Sequence, residues 1–255
     1  MMQTVLTPAA GKRLIATAMA RHEAVTAALD HGTLVIVAGT TNGYVAEEVL
    51  KTIGQEAEFS RQRFFRGITT PPGHKRSRSG RLSDESRFPG DVVIQKGQWQ
   101  TGLTIYDVVD ELREGDVILK GANAIDLRSR QAAVLIGDPT GGTVLKALQA
   151  LIGRRVRLLL PVGLEKRIEG TIHDATMLLN EPGAKGVRMM PIPGRIYTEI
   201  DALEQLAGVR TDLVAAGGVS GAEGAVWLAI RGDDEAIERA RSILASVQDE
   251  TPFVL

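Results

Sequence analysis

The chain has 255 residues, 44% hydrophobic and 24% charged, a composition that excludes a disordered tail, a collagen-like fibre and a coiled coil. Thirty Lys and Arg stand against 31 Asp and Glu, a net charge of -1, and aromatics are 4%, so a basic or stacking surface for nucleic acid is not expected. Cysteine is zero, which removes disulfides, thiolate nucleophiles and Cys-ligated zinc.

The first apolar pattern has helical spacing over 11–30, with Ile15, Met19, Ala27 and Leu29 among its buried candidates. Lys12 and Arg13 ahead of residues 14–20 imitate a signal peptide, but the same spacing runs on through Val25, Ala28 and Leu29. No apolar run reaches the roughly 20 residues of a membrane helix. A cytoplasmic chain with no membrane partner is therefore expected. Residues 33–38 follow as an unbroken apolar strand, the mark of a parallel sheet covered on both faces. The turn Gly39-Thr40-Thr41-Asn42-Gly43 leads into a helix over 44–52.

The stretch 55–90 is long and polar for a connection, with a short strand and turn expected over 64–70. Its basic part, 73–81, is either a loop that closes over an anion, hinged at Gly73 and Gly80, or a solvated one. Strands are expected over 91–94, 116–119, 132–136 and 156–160, and helices over 104–114 and 143–152. Thr104 is placed to cap the first of these helices. Strands alternating with helices of about ten residues argue for an α/β domain with a three-layer parallel sheet, placed at 1–183.

From 184 to 255 the rhythm changes. Strands over 187–192, 211–216, 225–230 and 252–255, with helices over 198–206 and 234–247, give the β-α-β-β-α-β order of a smaller ferredoxin-like α+β domain. Asp233 caps the last helix, with Asp234 and Glu235 in its first turn.

Ligands of open parallel sheets bind beyond the carboxyl ends of the strands. Two turns there have suitable composition: Thr40, Thr41, Asn42 and Gly43 in the first, and Asp138, Thr140, Gly141, Gly142 and Thr143 in the second. Each offers glycines for close approach, hydrogen-bonding side chains and a helix N-terminus, which favours an anion. Lys120 ends an apolar strand before Gly121 and is the candidate catalytic group, able to hold a phosphate or polarise a carbonyl. The alternative is a lysine reaching out to water along the strand end. Asn123 and Asp126 follow as hydrogen-bonding groups. Glu165, in Glu165-Lys166-Arg167, is an acid or base candidate, with a surface ion pair the expected reading. His22, His31, His74 and His173 are scattered without metal-binding spacing, so no metal or cofactor is expected.

The stretch 12–50, a helix, Gly32, an apolar strand, a Gly/Thr turn and a helix, resembles the opening of the ribose-5-phosphate isomerase A, glucosamine-6-phosphate deaminase and CoA-transferase-like superfamily. Ile118-Leu119-Lys120-Gly121 is similar to the isomerase strand that ends in Lys-Gly. Pro161-Val162-Gly163-Leu164-Glu165-Lys166 is similar to a later strand-then-lysine segment. The resemblance implies Thr40, Thr41 and Lys120 as ligand contacts, a ferredoxin-like lid, and aldose–ketose isomerisation or acyl transfer. The isomerase's Asp-Gly-Ala-Asp segment is absent, and Gly121-Ala122-Asn123 replaces its glycine-rich continuation, so no catalytic base is assigned. The expected partner is a small anionic metabolite, a sugar phosphate or CoA-type ligand, within a chain that can form a homo-oligomer. A non-catalytic metabolite sensor or assembly protein is the other reading.

Overall fold

The computed structural model describes residues 1–67, 69–70, 73, 80 and 88–253. The basic segment 73–81 lies outside them apart from Gly73 and Gly80. The strand expected over 252–255 is irregular at 252–253, and its remainder lies outside the described residues.

Strand β1 (Met2–Leu6) precedes α1 (Pro8–Met19). Thr7 caps α1 by accepting from Ala10 N–H, and Pro8 occupies a first-turn position that has no donor to lose. The single helix expected over 11–30 is instead two. His22 leaves helical geometry, and its Nδ1 accepts from Ala24 N–H at 3.2 Å, which starts α2 (Glu23–His31) afresh. Next come β2 (Thr33–Ile36), α3 (Thr40–Thr52), β3 (Val92–Gln95), β4 (Gln98–Trp99) and α4 (Ile105–Val108). Thr104 and Asp107 form a capping box at α4, as the sequence suggests. The helix is shorter than the expected 104–114, because the main-chain oxygens of Val109 and Leu112 are taken by the Arg154 guanidinium.

The chain continues through β5 (Val117–Leu119), β6 (Ala124–Asp126), β7 (Gln131–Ile136), α5 (Gly142–Arg154) and β8 (Arg157–Pro161). It ends with α6 (Ile172–Asn180), β9 (Arg188–Ile192), β10 (Arg195–Tyr197), α7 (Glu199–Ala207), β11 (Arg210–Ala216), β12 (Val226–Arg231) and α8 (Asp234–Val247).

These elements make a mixed α/β structure with a six-stranded sheet ordered β10-β8-β5-β2-β3-β4. β10, β8, β5 and β2 run parallel, and β3 and β4 add an antiparallel edge. Val35 faces Ile118 across one ladder and Ile118 faces Leu158 across the next, so the apolar runs are central strands buried on both faces.

Two further sheets are antiparallel: β6-β7-β9 and β1-β12-β11. The β-α-β-β-α-β order expected after residue 184 therefore does not close into a sheet of its own. β9 joins β7, β10 joins β8, and β12 lies between β11 and the N-terminal β1. Among the described residues, no helix is long and apolar enough to cross a membrane.

Candidate functional site

The parallel strands end on one edge of the large sheet, and the chain leaving each carries polar side chains. Beyond β2 come Thr41 and Asn42, beyond β5 Lys120, beyond β8 Glu165 and Lys166, and beyond β10 Glu199. The ladder runs one residue past the strands, through Val37 N–H to Leu119 O at 2.9 Å and Lys120 N–H to Leu159 O at 3.0 Å. That pairing sets the strand ends side by side.

Asn42 is fully buried. Its Nδ2 donates to Val37 O at 2.8 Å and to Leu119 O at 3.0 Å, while its Oδ1 has no partner. Thr41 Oγ1 is buried and likewise unpartnered. Thr40 is half-buried at the start of α3. Gly43 serves packing, since a Cβ there would sit 3.1 Å from Arg61 Cγ.

Lys120 is only 8% exposed, and no hydrogen bond to its ammonium occurs among the described residues. Burial pulls its pKa down to about 8; Arg66 pulls the same way, Asp91 opposes, and Lys166 adds a further lowering. Asp91 is fully buried and committed. Its Oδ1 accepts from Ala38 N–H at 2.9 Å and from Arg66 Nη1, and its Oδ2 accepts from Ile105 N–H at 2.8 Å. Arg66 lies over the Phe88 ring, 5.0 Å from its centroid, and its Nη2 is buried without an acceptor.

The β8 and β10 ends form the second half of the cluster. Lys166 Nζ donates to Ala122 O at 2.9 Å, and burial holds its pKa below the usual lysine value. Glu165 pairs with Lys12 of α1 at 3.1 Å, with side chains 17% and 12% exposed, so the expected surface pair is largely enclosed. Glu165 Oε2 is buried and unpartnered. Glu199 is buried, and its Oε2 accepts from Leu164 N–H at 2.9 Å. Burial, then the Glu165 charge, push its carboxyl up to about 8 against its backbone hydrogen bonds and Lys12. A cleft of about 600 Å³ opens beside Glu165, lined also by Arg167, Ile168, Glu169, Ala216, Gly217 and Gly224.

The second expected turn stands apart. It follows β7, in the small sheet, and Asp138 Oδ1 accepts from both the N–H and the hydroxyl of Thr140 at 2.7 Å. Gly141 and Gly142 take left-handed φ values where Thr143 and α5 begin, and Asp138 O accepts from Arg188. These bonds make the turn a helix start, and none links it to Lys120. Asn123 is exposed, its Oδ1 accepting from Leu135 N–H at 3.0 Å to stitch β6 to β7. Asp126 accepts from Arg128 and Ser129 within its own turn.

Sequence reasoning missed Arg66, Asp91 and Glu199. Asp91 opens a strand and Glu199 opens a helix, positions where an acid reads as a cap; Arg66 falls in the stretch 64–70, expected as a short strand and turn and irregular over its described residues 64–67 and 69–70. Among the described residues, no group of three His, Asp or Glu side chains is arranged to hold a metal ion. Protein-family models, curated proteins and solved structures offer no match to this chain.

Proposed function

We propose that the protein binds a small anionic metabolite at the carboxyl edge of the large sheet, a sugar phosphate or CoA-type ligand whose acid group lies between Lys120 and Arg66. The observation that carries this reading is the buried Nη2 of Arg66, which has no acceptor, in the same charge cluster as the buried Lys120, whose ammonium makes no hydrogen bond among the described residues. A buried donor left unpaired costs about 1–3 kcal/mol, and more when charged. Asp91, the carboxylate facing Lys120, already accepts three hydrogen bonds. A phosphate or carboxylate would accept from both cations, and Arg66 offers the planar geometry suited to one. Thr41 Oγ1 supplies a neutral donor on the β2 side. We infer too that the sheet is the middle of three layers, since α1, α3, α7 and α8 pack on one another and α4 packs on α5.

The test is a thermal-shift titration with inorganic phosphate, ribose 5-phosphate and CoA at pH 7. A specific ligand at about 100 times its Kd adds about 2.7 kcal/mol of stability. That gain is expected to vanish in Lys120→Ala and in Arg66→Ala. It also falls as pH rises through about 8, where Lys120 loses its charge. Absence of any shift with all three overturns the reading.

A further inference from the structure

We propose that the cleft beside Glu165 binds a zwitterion, a free α-amino acid with an apolar side chain. Its acid group lies on Arg167, its ammonium on Glu169, and its side chain along Ile168 and Ala216. The ground is a cavity of about 600 Å³ whose lining carries charges of both signs. That volume falls within the range of small-molecule pockets, about 300–1,000 Å³. None of its lining residues belongs to the anion site proposed at Lys120 and Arg66, so the two readings stand or fall separately.

Both walls are fixed before a ligand arrives. One wall is the chain leaving β8. Arg167 bridges there to Ile125 of β6, and Ile168 N–H donates to Ile125 O at 3.0 Å. The Arg167 guanidinium is folded back on its own turn, its Nη1 donating to Leu164 O at 3.0 Å. The other wall is the base of the β11–β12 hairpin, closed by Gly217 N–H to Ala225 O at 2.8 Å. Gly217 and Gly224 have φ values of 100° and 83°, the left-handed region that favours glycine, so this wall is largely bare backbone. Gly224 also rests by the start of α1, where a Cβ would lie 3.4 Å from Pro8 Cγ. A preformed cleft spares the ligand the cost of ordering a loop around it.

The charges select the ligand. Glu165 is paired with Lys12 at 3.1 Å, and that pair is neutral as a unit. Arg167 and Glu169 remain, one cation and one anion two residues apart, and among the described residues neither is paired with an opposite charge. An anionic ligand on Arg167 would meet Glu165 and Glu169 as well. A cationic ligand on Glu169 would meet Arg167 and Lys12. A molecule with an acid and an ammonium on one carbon engages both groups and adds no net charge. The guanidinium has further N–H donors beyond the Leu164 bond, and its planar fork suits a carboxylate. Ile168 and Ala216 give the ligand's apolar part a surface to cover.

L-leucine is the probe, titrated into the full chain by isothermal titration calorimetry at pH 7. Two fragments of it are titrated alongside: 4-methylpentanoate, which lacks the ammonium, and 3-methylbutylamine, which lacks the carboxylate. Leucine is expected to bind at least about tenfold tighter than either, the scale of one lost charge-assisted contact. Glu169 is exposed and holds no other element in place, so Glu169→Gln keeps the fold. That variant should bind leucine at least about tenfold more weakly and 4-methylpentanoate no more weakly than wild type. Arg167→Gln gives the converse, with leucine weakened and 3-methylbutylamine not. No saturable binding at millimolar leucine, or equal binding of leucine and its two fragments, overturns the site. Leucine binding that both variants leave unchanged overturns its assignment to this cleft.

Discussion

Glu199 carries a proton that an exposed glutamate would have given up by neutral pH. It is enclosed, it faces the Glu165 carboxylate, and its pKa stands at about 8. A carboxyl whose pKa is raised on folding stabilises the native state fully below its unfolded value, near 4.5, and that contribution is lost as pH rises through about 8. The urea midpoint of the protein is therefore expected to fall between pH 5 and 8. Glu199→Gln keeps an acceptor for Leu164 N–H and cannot ionise, so its midpoint should stay flat over that window and exceed wild type at pH 8. A parallel decline in the variant would place the pH dependence elsewhere. Gly11 belongs to the same contact: a Cβ there would lie 2.4 Å from Glu199 Oε1. Alanine ordinarily gains about 1 kcal/mol over glycine within a helix. Here crowding of an anchored, buried carboxyl outweighs that gain, and Gly11→Ala is expected to be destabilising by about 1–2 kcal/mol on urea unfolding.

At the scale of elements, the segment beyond α8 is pinned to α1 and α3 by ion pairs around one ring. Arg13 of α1 bonds Glu47 and Glu48 of α3 and Glu250, at 2.5, 2.6 and 2.7 Å. Arg61 joins Glu250 at 2.9 Å and lies 4.0 Å from the Tyr44 centroid, with Arg13 at 5.0 Å. Phe253 then meets Phe65 edge to face, next to Arg66, so this strap supports the segment that carries Arg66, the proposed ligand contact. Arg13→Met would leave partly buried carboxylates without their shared partner, and a loss of about 3 kcal/mol is expected. Burial raises the Glu250 pKa but the Arg13 and Arg61 hydrogen bonds outweigh it, so its net shift is downward. Its contribution is present above the ordinary carboxylate range and lost as pH falls through the lowered value; acid should release the strap first, seen as early loss of amide protection near residue 250. Sequence legibility follows the same physics. Strands β2, β3, β5 and β8 are readable because central strands need unbroken apolar runs, and α8 because Asp233 accepts from Ala236 N–H at 2.7 Å. The three-residue β10 is too short to show a period, and α6 leaves Met177 and Leu178 exposed rather than burying a regular stripe. Lys120, Thr41 and Asn42 were legible because a strand's carboxyl end is marked by where the apolar run stops. Arg66 and Glu199 reach the same cluster only through tertiary folding.

For the molecule as a whole, residues 184–255 hold strands in three sheets, and each sheet is completed by earlier chain. β9 pairs with β7 from Arg188↔Ile136 to Ile192↔Ala132, and β10 pairs with β8 from Arg195↔Leu159 to Tyr197↔Pro161. β1 lies along β12 from Met2↔Ile230 to Leu6↔Val226. The main hydrophobic core runs from Leu6 through the large sheet to Leu244 and Val247, with α7 and α8 packed on α1, and a small second cluster of Ala124, Ala133, Ile172 and Met189 forms where α6 meets β6, β7 and β9. A change of sequence rhythm near 183–186 suggests a boundary because rhythm reports local structure, and strand exchange between distant segments leaves no local mark. The free energy of a shared core is lost together, so the intact chain is expected to unfold in a single urea transition with matching midpoints by far-UV circular dichroism and tryptophan fluorescence. Trp99 on β4 and Trp227 on β12 report from two different sheets, which makes that coincidence a test of coupling. A fragment of 184–255 would keep β11 and β12 but lose the partners of β9, β10 and the β12 edge. A two-stranded pair is marginal in water even with helices beside it, so the fragment is expected to show no cooperative transition. A fragment that melts sharply on its own, or separate midpoints for the two tryptophans, would establish two folding units and cut the dependence argued here between the N-terminal strand and the C-terminal helices.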